Sequence, residues 1–109
     1  MRLNRYQKLA RITASYPNVG KNLSYPTMGL CGESGEVAEK VKKIFRDCKG
    51  KVSPEAREAI GKELGDVLWY LSNLCSELNF ELDEVAKINL EKITSRIKRN
   101  KVNGTGDNR

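Results

Sequence analysis

The chain has 109 residues, enough for one domain but not for a separate regulatory or substrate domain. Twenty Lys and Arg against 14 Asp and Glu give a net charge of +6, and no run of about 18 apolar residues exists to cross a membrane. Histidine is absent, which removes His-based triads and His metal ligands and leaves carboxylates as the main titratable chemistry.

The N-terminus is polar, lacks the apolar run of a signal peptide, and opens a first helix from about Leu3 to Ser15. Tyr16-Pro17-Asn18-Val19-Gly20 through Tyr25-Pro26 is turn chemistry and reads as a loop. A second helix is expected from about Thr27 to Arg46, with Leu30, Val37, Val41, Ile44 and Cys48 on one face, and Lys49-Gly50-Lys51 stops it. Ser53-Pro54-Glu55 is a helix start, with Ser as cap, Pro at the first position and Glu in the first turn. This third helix carries Ile60, Leu64, Val67, Leu68, Leu71, Leu74, Cys75 and Leu78 and ends at Asn79-Phe80. A fourth helix, from about Glu81 to Asn100, uses Leu82, Ala86, Leu90, Ile93 and Ile97. The expected fold class is all-α, an antiparallel four-helix bundle-like protomer over residues 1–101, followed by a flexible tail from 102 to 109.

Charge is segregated along this plan. Residues 1–32 hold five bases and no acid, residues 33–95 have a net charge of −3, and residues 96–109 have a net charge of +4. Basic ends raise the possibility of a nucleic-acid-binding module, and an inert acidic face would make the chain a non-catalytic helical interaction module. Cys31, Cys48 and Cys75 are odd in number and widely spaced, which reads as reduced thiols filling a core in a cytoplasmic protein.

Glu33-Ser34-Gly35-Glu36 and Glu63-Leu64-Gly65-Asp66 each set two carboxylates at i and i+3, on one helix face beside the apolar stripe. Antiparallel packing of the two stripes would bring the pairs together, and four converging carboxylates call for a divalent cation, Mg²⁺ or Mn²⁺ given all-oxygen ligands. Gly35 and Gly65 inside helices suggest a close approach at both motifs. On the fourth helix, Asn89 falls in the apolar stripe, and Lys92 and Arg96 continue along its side as a grip for phosphate. Tyr70, one turn beyond Asp66, is placed to contact a ligand. Trp69 points away from the stripe beside Gly65, Ser72 and Ser76, which suggests a face for self-association.

Gly29 to Lys40, then Lys62 to Tyr70, then Asn89-Leu90-Glu91-Lys92 resemble the MazG-type nucleotide pyrophosphohydrolases, of the all-α NTP pyrophosphatase superfamily. Their mark is ExxE, a spacer and ExxD; here 26 residues separate Glu36 from Glu63. The resemblance implies Mg²⁺-dependent cleavage of a nucleoside triphosphate between the α and β phosphates, releasing a monophosphate and pyrophosphate. It implies Glu33, Glu36, Glu63 and Asp66 as metal ligands, and Tyr70, Asn89 and Lys92 as substrate-binding residues, joined on the helical-face argument by Arg96. A glutamate not fully committed to metal would serve as general base, with Glu36 and Glu39 as the candidates; Glu36-Val37-Ala38-Glu39 is also an ExxE. Tyr6, Gln7 and Tyr25 are candidates for the base pocket. A homodimer or homotetramer is implied, with no membrane and no specific nucleic-acid partner.

Overall fold

Helix boundaries follow local chemistry. The computed structural model describes residues 1–100 and 104–108. Its elements are α1 (Leu3–Ile12), α2 (Ser24–Cys48), α3 (Pro54–Glu77) and α4 (Leu82–Lys98), with no strand among the described residues. The Ser53 hydroxyl accepts from the Ala56 N–H at 3.0 Å, so α3 starts where its capping sequence says. Helix α2 begins earlier than expected, because Tyr25-Pro26 forms its first turn instead of closing the loop. Proline is tolerated there, where its missing N–H has no intrahelical partner, and the Asn22 side chain accepts from the Tyr25 N–H at 3.0 Å. Lys49 in the left-handed region, φ 54°, followed by Gly50 with its N–H on the Ile44 carbonyl, ends α2. Asn79, φ 60°, with the Phe80 N–H on the Cys75 carbonyl, ends α3 in the same way.

Five residues separate α2 from α3, so the two pack as an antiparallel hairpin, the principal contact of the molecule. Ile44 on α2 and Cys75 on α3 are buried, and Leu30, Val37, Val41, Val67, Leu68 and Leu71 are half-buried along the shared stripe. Helix α1 lies across α3, while α4 touches α1 and the end of α3 and makes no contact with α2 among the described residues. Leu82 is buried, but Leu90 and Ile97 are each 64% exposed, so most of the α4 stripe faces outward. The radius of gyration is 16.7 Å, against about 13 Å for a compact domain of this length. One protomer therefore leaves its bundle open on the α4 side.

The face carrying Trp69 is used inside the protomer, which corrects the expectation of a self-association surface there. Its indole N–H donates to the Thr13 hydroxyl at 2.8 Å, and its ring stands edge-on to Tyr16 and Tyr70. Ser72 on the same side is fully buried, and the Ser76 hydroxyl accepts from Gln7. Helix α1 packs on this side of α3 and buries Ala10. Of the cysteines, only Cys75 fills core; Cys31 and Cys48 are exposed, Cys48 because it lies in the last turn of α2, beyond the stripe.

A buried acid holds α1, the α1–α2 loop and α3 together. The Glu77 carboxylate accepts from Arg11 Nη2 (2.8 Å), the Tyr16 hydroxyl (2.6 Å), the Gly20 N–H (2.8 Å) and the Asn22 N–H (2.8 Å). Buried Asn73 joins the network, its amide oxygen accepting from Arg11 and its amide nitrogen donating to the Trp69 carbonyl. Burial pushes the Glu77 carboxyl up, but these donors together outweigh it and hold it at about 2. Gln7 is spent on structure as well: its amide joins Ser76, the Phe80 carbonyl and the Leu82 N–H, fixing the α3–α4 turn. This takes Gln7 out of the candidate base pocket.

The tail expected to be flexible from 102 lies partly outside the described residues. Within it, residues 104–108 carry Asp107 back onto α4, where it meets Lys92 and Arg96.

Candidate metal centre

The antiparallel hairpin sets the carboxylates against one another. Glu63 and Asp66 are one turn apart on α3, and Glu33 faces them from α2. One oxygen from each of Glu33, Glu63 and Asp66 lies within 4.8 Å of the others. Glu36, one turn along α2, is exposed and is not drawn into this group, although its charge acts on Glu33. The Glu33 carboxyl is raised above its usual range, first by a hydrogen bond shared with Glu63, then by burial, then by the charges of Glu63, Asp66 and Glu36.

The donor set fits a hard divalent cation. All three ligand atoms are oxygens, and oxygens on opposite sides of an Mg²⁺ shell stand about 4.2 Å apart, so a small side-chain movement closes the group. The residues also suit Mn²⁺, while zinc and copper prefer nitrogen and sulfur ligands that the site lacks.

Lys40 was not singled out by the motif and belongs to this region. Its ammonium lies 3.6 Å from Glu63, and among the described residues no other ion pair reaches the three carboxylates. The sequence holds the signal, since Lys40 is two turns beyond Glu33 and one beyond Glu36 on the same helix. Glu39 faces elsewhere. It pairs with Lys42 at 2.9 Å and Lys43 at 3.9 Å, and the hydrogen bond from Lys42 holds its carboxyl below the usual range. Glu36 has no ion-pair partner among the described residues.

Aromatic side chains border the acids. Tyr70 is half-buried, edge-on to Trp69 at 5.1 Å and tilted against Tyr25 at 6.3 Å, and Tyr25 stacks on Tyr16 at 4.9 Å. Burial first, then Tyr25 and the charges of Glu33 and Asp66, raise the Tyr70 hydroxyl. Burial and the charge of Asp66 do the same to Tyr6. The close approach expected at Gly35 and Gly65 is absent: a Cβ at either would meet nothing within 4 Å. It occurs one turn before Glu33, where a Cβ on Gly29 would overlap the Tyr70 ring. Glycine at 29 therefore lets Tyr70 lie flush against α2 beside the acids.

The α4 residues stand apart from this cluster. Asn89 is exposed, because the stripe into which it falls is itself unburied. It borders a shallow groove with Phe80, Glu84, Val85, Ile88 and Lys92. Lys92 is half-buried and Arg96 is buried, and Asp107 pairs with both. Another groove runs along α4 beside the start of α1, past Leu3, Ala86, Leu90 and Thr94, and its lining includes none of Glu33, Glu63 and Asp66. One protomer thus brings Glu33, Glu63, Asp66 and Tyr70 together, and does not bring Asn89, Lys92 or Arg96 to them.

A family model described as the MazG nucleotide pyrophosphohydrolase domain matches residues 24–100. "Gene 37 protein" of Mycobacterium phage L5 is 46% identical over 114 residues, covering 100% of both chains. No solved structure gives a significant match.

Proposed function

The chain belongs to the MazG nucleotide pyrophosphohydrolase family, and we propose from this premise that it hydrolyses a nucleoside or deoxynucleoside triphosphate between the α and β phosphates, with Mg²⁺ as cofactor and Mn²⁺ as a substitute. The observation that carries the reading is the meeting of Glu33, Glu63 and Asp66 across the α2–α3 hairpin, from the ExxE and ExxD motifs of one chain. No helix among the described residues is long and apolar enough to cross a membrane, in keeping with a soluble nucleotide as substrate.

Glu33, Glu63 and Asp66 would hold the cation, with Glu36 beside them and outside the converging set. A divalent cation there supplies charge neutralisation of the triphosphate and polarises the phosphorus under attack. Glu36 is the proposed general base. It stands beside the cluster with no ion-pair partner among the described residues, whereas Glu39 is committed to two lysines. The base takes a proton as water adds to the α phosphorus, and the bond to the β-phosphate oxygen breaks to release pyrophosphate. Lys40 offers charge beside Glu63, and Lys92 and Arg96 offer it to the leaving phosphates. Tyr25 and Tyr70 present ring faces to the nucleoside, and Asn89 its amide.

Incubation with a panel of NTPs and dNTPs, with Mg²⁺ or with EDTA, tests this reading. Pyrophosphate and a nucleoside monophosphate are expected for at least one nucleotide, and only with the metal. Orthophosphate as sole product would move cleavage to another bond, and no product from any nucleotide would remove the enzymatic reading for that panel.

We also propose assembly as a homodimer or homotetramer through α4. The exposed Leu90, Ile93 and Ile97 form an apolar row that a second copy of the same row would cover. Assembly is also a route by which Asn89, Lys92 and Arg96 can join carboxylates that their own protomer does not bring to them. Light scattering is expected to give at least twice the mass of 12.3 kDa, and Leu90→Glu with Ile97→Glu should lower it to one chain. A monomer at every concentration would exclude the interface.

A further inference from the structure

The end of the chain returns a carboxylate to the residues proposed to grip phosphate. Asp107 Oδ1 lies 3.2 Å from Lys92 Nζ and 3.4 Å from Arg96 Nη2. Arg96 Nη2 also donates to the Asp107 carbonyl at 2.7 Å and to the Gly106 carbonyl at 3.4 Å. Every one of these acceptors falls on the same nitrogen of the guanidinium. Arg96 Nε is buried and has no hydrogen-bond partner, in a side chain that is only 9% exposed.

A guanidinium presents Nε–H and Nη2–H as parallel donors, spaced for two oxygens of one anion. The tail loads one arm of this fork and leaves the other empty. A buried unpaired donor carries a desolvation penalty that a better-matched acceptor removes. A terminal phosphate has three oxygens, enough for Nε, Nη2 and Lys92 Nζ together. Asp107 has one carboxylate oxygen serving both cations, and its side chain is 83% exposed. Exposed ion pairs of that kind are weak and easily displaced.

We propose that Lys92 and Arg96 form a phosphate site that Asp107 occupies in the resting chain, so that the C-terminal segment competes with the anionic end of the substrate. The proposal deepens the reading above, resting on Lys92 and Arg96 as the phosphate grip. It assigns the tail a regulatory part: the site opens to a polyphosphate carrying several charges and stays closed to anions of single charge. Monovalent anions at low millimolar concentration would therefore bind poorly, while pyrophosphate and triphosphate would displace the tail.

The test is binding of inorganic pyrophosphate, followed by calorimetry in low salt with EDTA, so that the carboxylate cluster takes no part through a metal. The full-length chain is compared with Asp107→Asn and Asp107→Ala, changes at an exposed position that leave the helices untouched. Both variants are expected to bind pyrophosphate about 3–10-fold more tightly than the unaltered chain, and Arg96→Gln added to Asp107→Asn should abolish the gain. In steady-state hydrolysis the single variants should lower KM by a similar factor at unchanged kcat. Equal or weaker binding by the Asp107 variants, or no pyrophosphate binding by any form, overturns the proposal. Tighter binding with no hydrolysis of any nucleotide supports the tail's role and rejects the enzymatic reading. Hydrolysis with unaltered pyrophosphate affinity does the reverse.

Discussion

Asp66→Asn is expected to lower cation-dependent hydrolysis by about 10²–10³-fold while leaving helix content unchanged. Asp66 is exposed and no packing of the fold depends on it, yet it supplies one of the three oxygens that converge between α2 and α3. Removing its charge also relieves the repulsion that raises Glu33, so the variant chain should be at least as stable as its parent in the absence of metal. The paired expectation separates a metal ligand from a scaffold residue. Glu39→Gln is the control, since its carboxylate is taken up by Lys42 and Lys43, and it should keep turnover within about twofold. Steady-state rates against Mg²⁺ concentration, with circular dichroism alongside, give both readouts. Full activity in Asp66→Asn would place the metal elsewhere.

Glu77→Gln is expected to be the most damaging single change to stability, at about 2–4 kcal/mol. The side chain is 1% exposed and accepts from four donors, two of them backbone N–H groups of the loop before α2. Glutamine has one acceptor oxygen and turns an NH₂ towards donors that it cannot satisfy. The pH dependence has a fixed sign. The folded carboxyl sits at about 2 and the ordinary value is 4.5, so the stabilisation is complete above the ordinary value and fades as pH falls from there towards 2. Its full extent is up to about 3 kcal/mol. Urea titrations at pH 7 and pH 3 measure it: the unaltered chain should lose stability between the two, and Glu77→Gln should lose much less. Parallel losses in both would show that other carboxyls govern acid unfolding.

The helices were legible because their punctuation is local. Ser53 before Pro54, and Gly50 after a helical stretch, act within a few residues of themselves. The ExxE and ExxD spacing was legible for the same reason, since one turn of helix fixes which carboxylates are neighbours. Relations across elements were less so. Glu77 carries no local motif that marks it, and only the loop's return onto α3 makes it a hub. Trp69 read as an outward aromatic because helical periodicity records which side faces α2 and is silent on α1, which covers the opposite side. Asn89 read as a buried amide because its stripe is apolar, but burial needs a second surface, and this protomer supplies none. The carboxylate motifs draw attention to Gly35 and Gly65, whereas the glycine that a neighbour approaches is Gly29, against which the Tyr70 ring lies.

Trp69 is the chain's single tryptophan, and its indole N–H is bonded to Thr13 at the end of α1 while its ring stands edge-on to Tyr70 beside the carboxylates. It therefore works as an intrinsic fluorophore with one well-defined environment. Its emission maximum would report the undocking of α1, and changes in its intensity would follow movement of the Tyr70 ring as the acidic cluster takes up charge. Titrations of cation and nucleotide can accordingly be followed optically on the unlabelled chain, with no engineered probe to disturb the site.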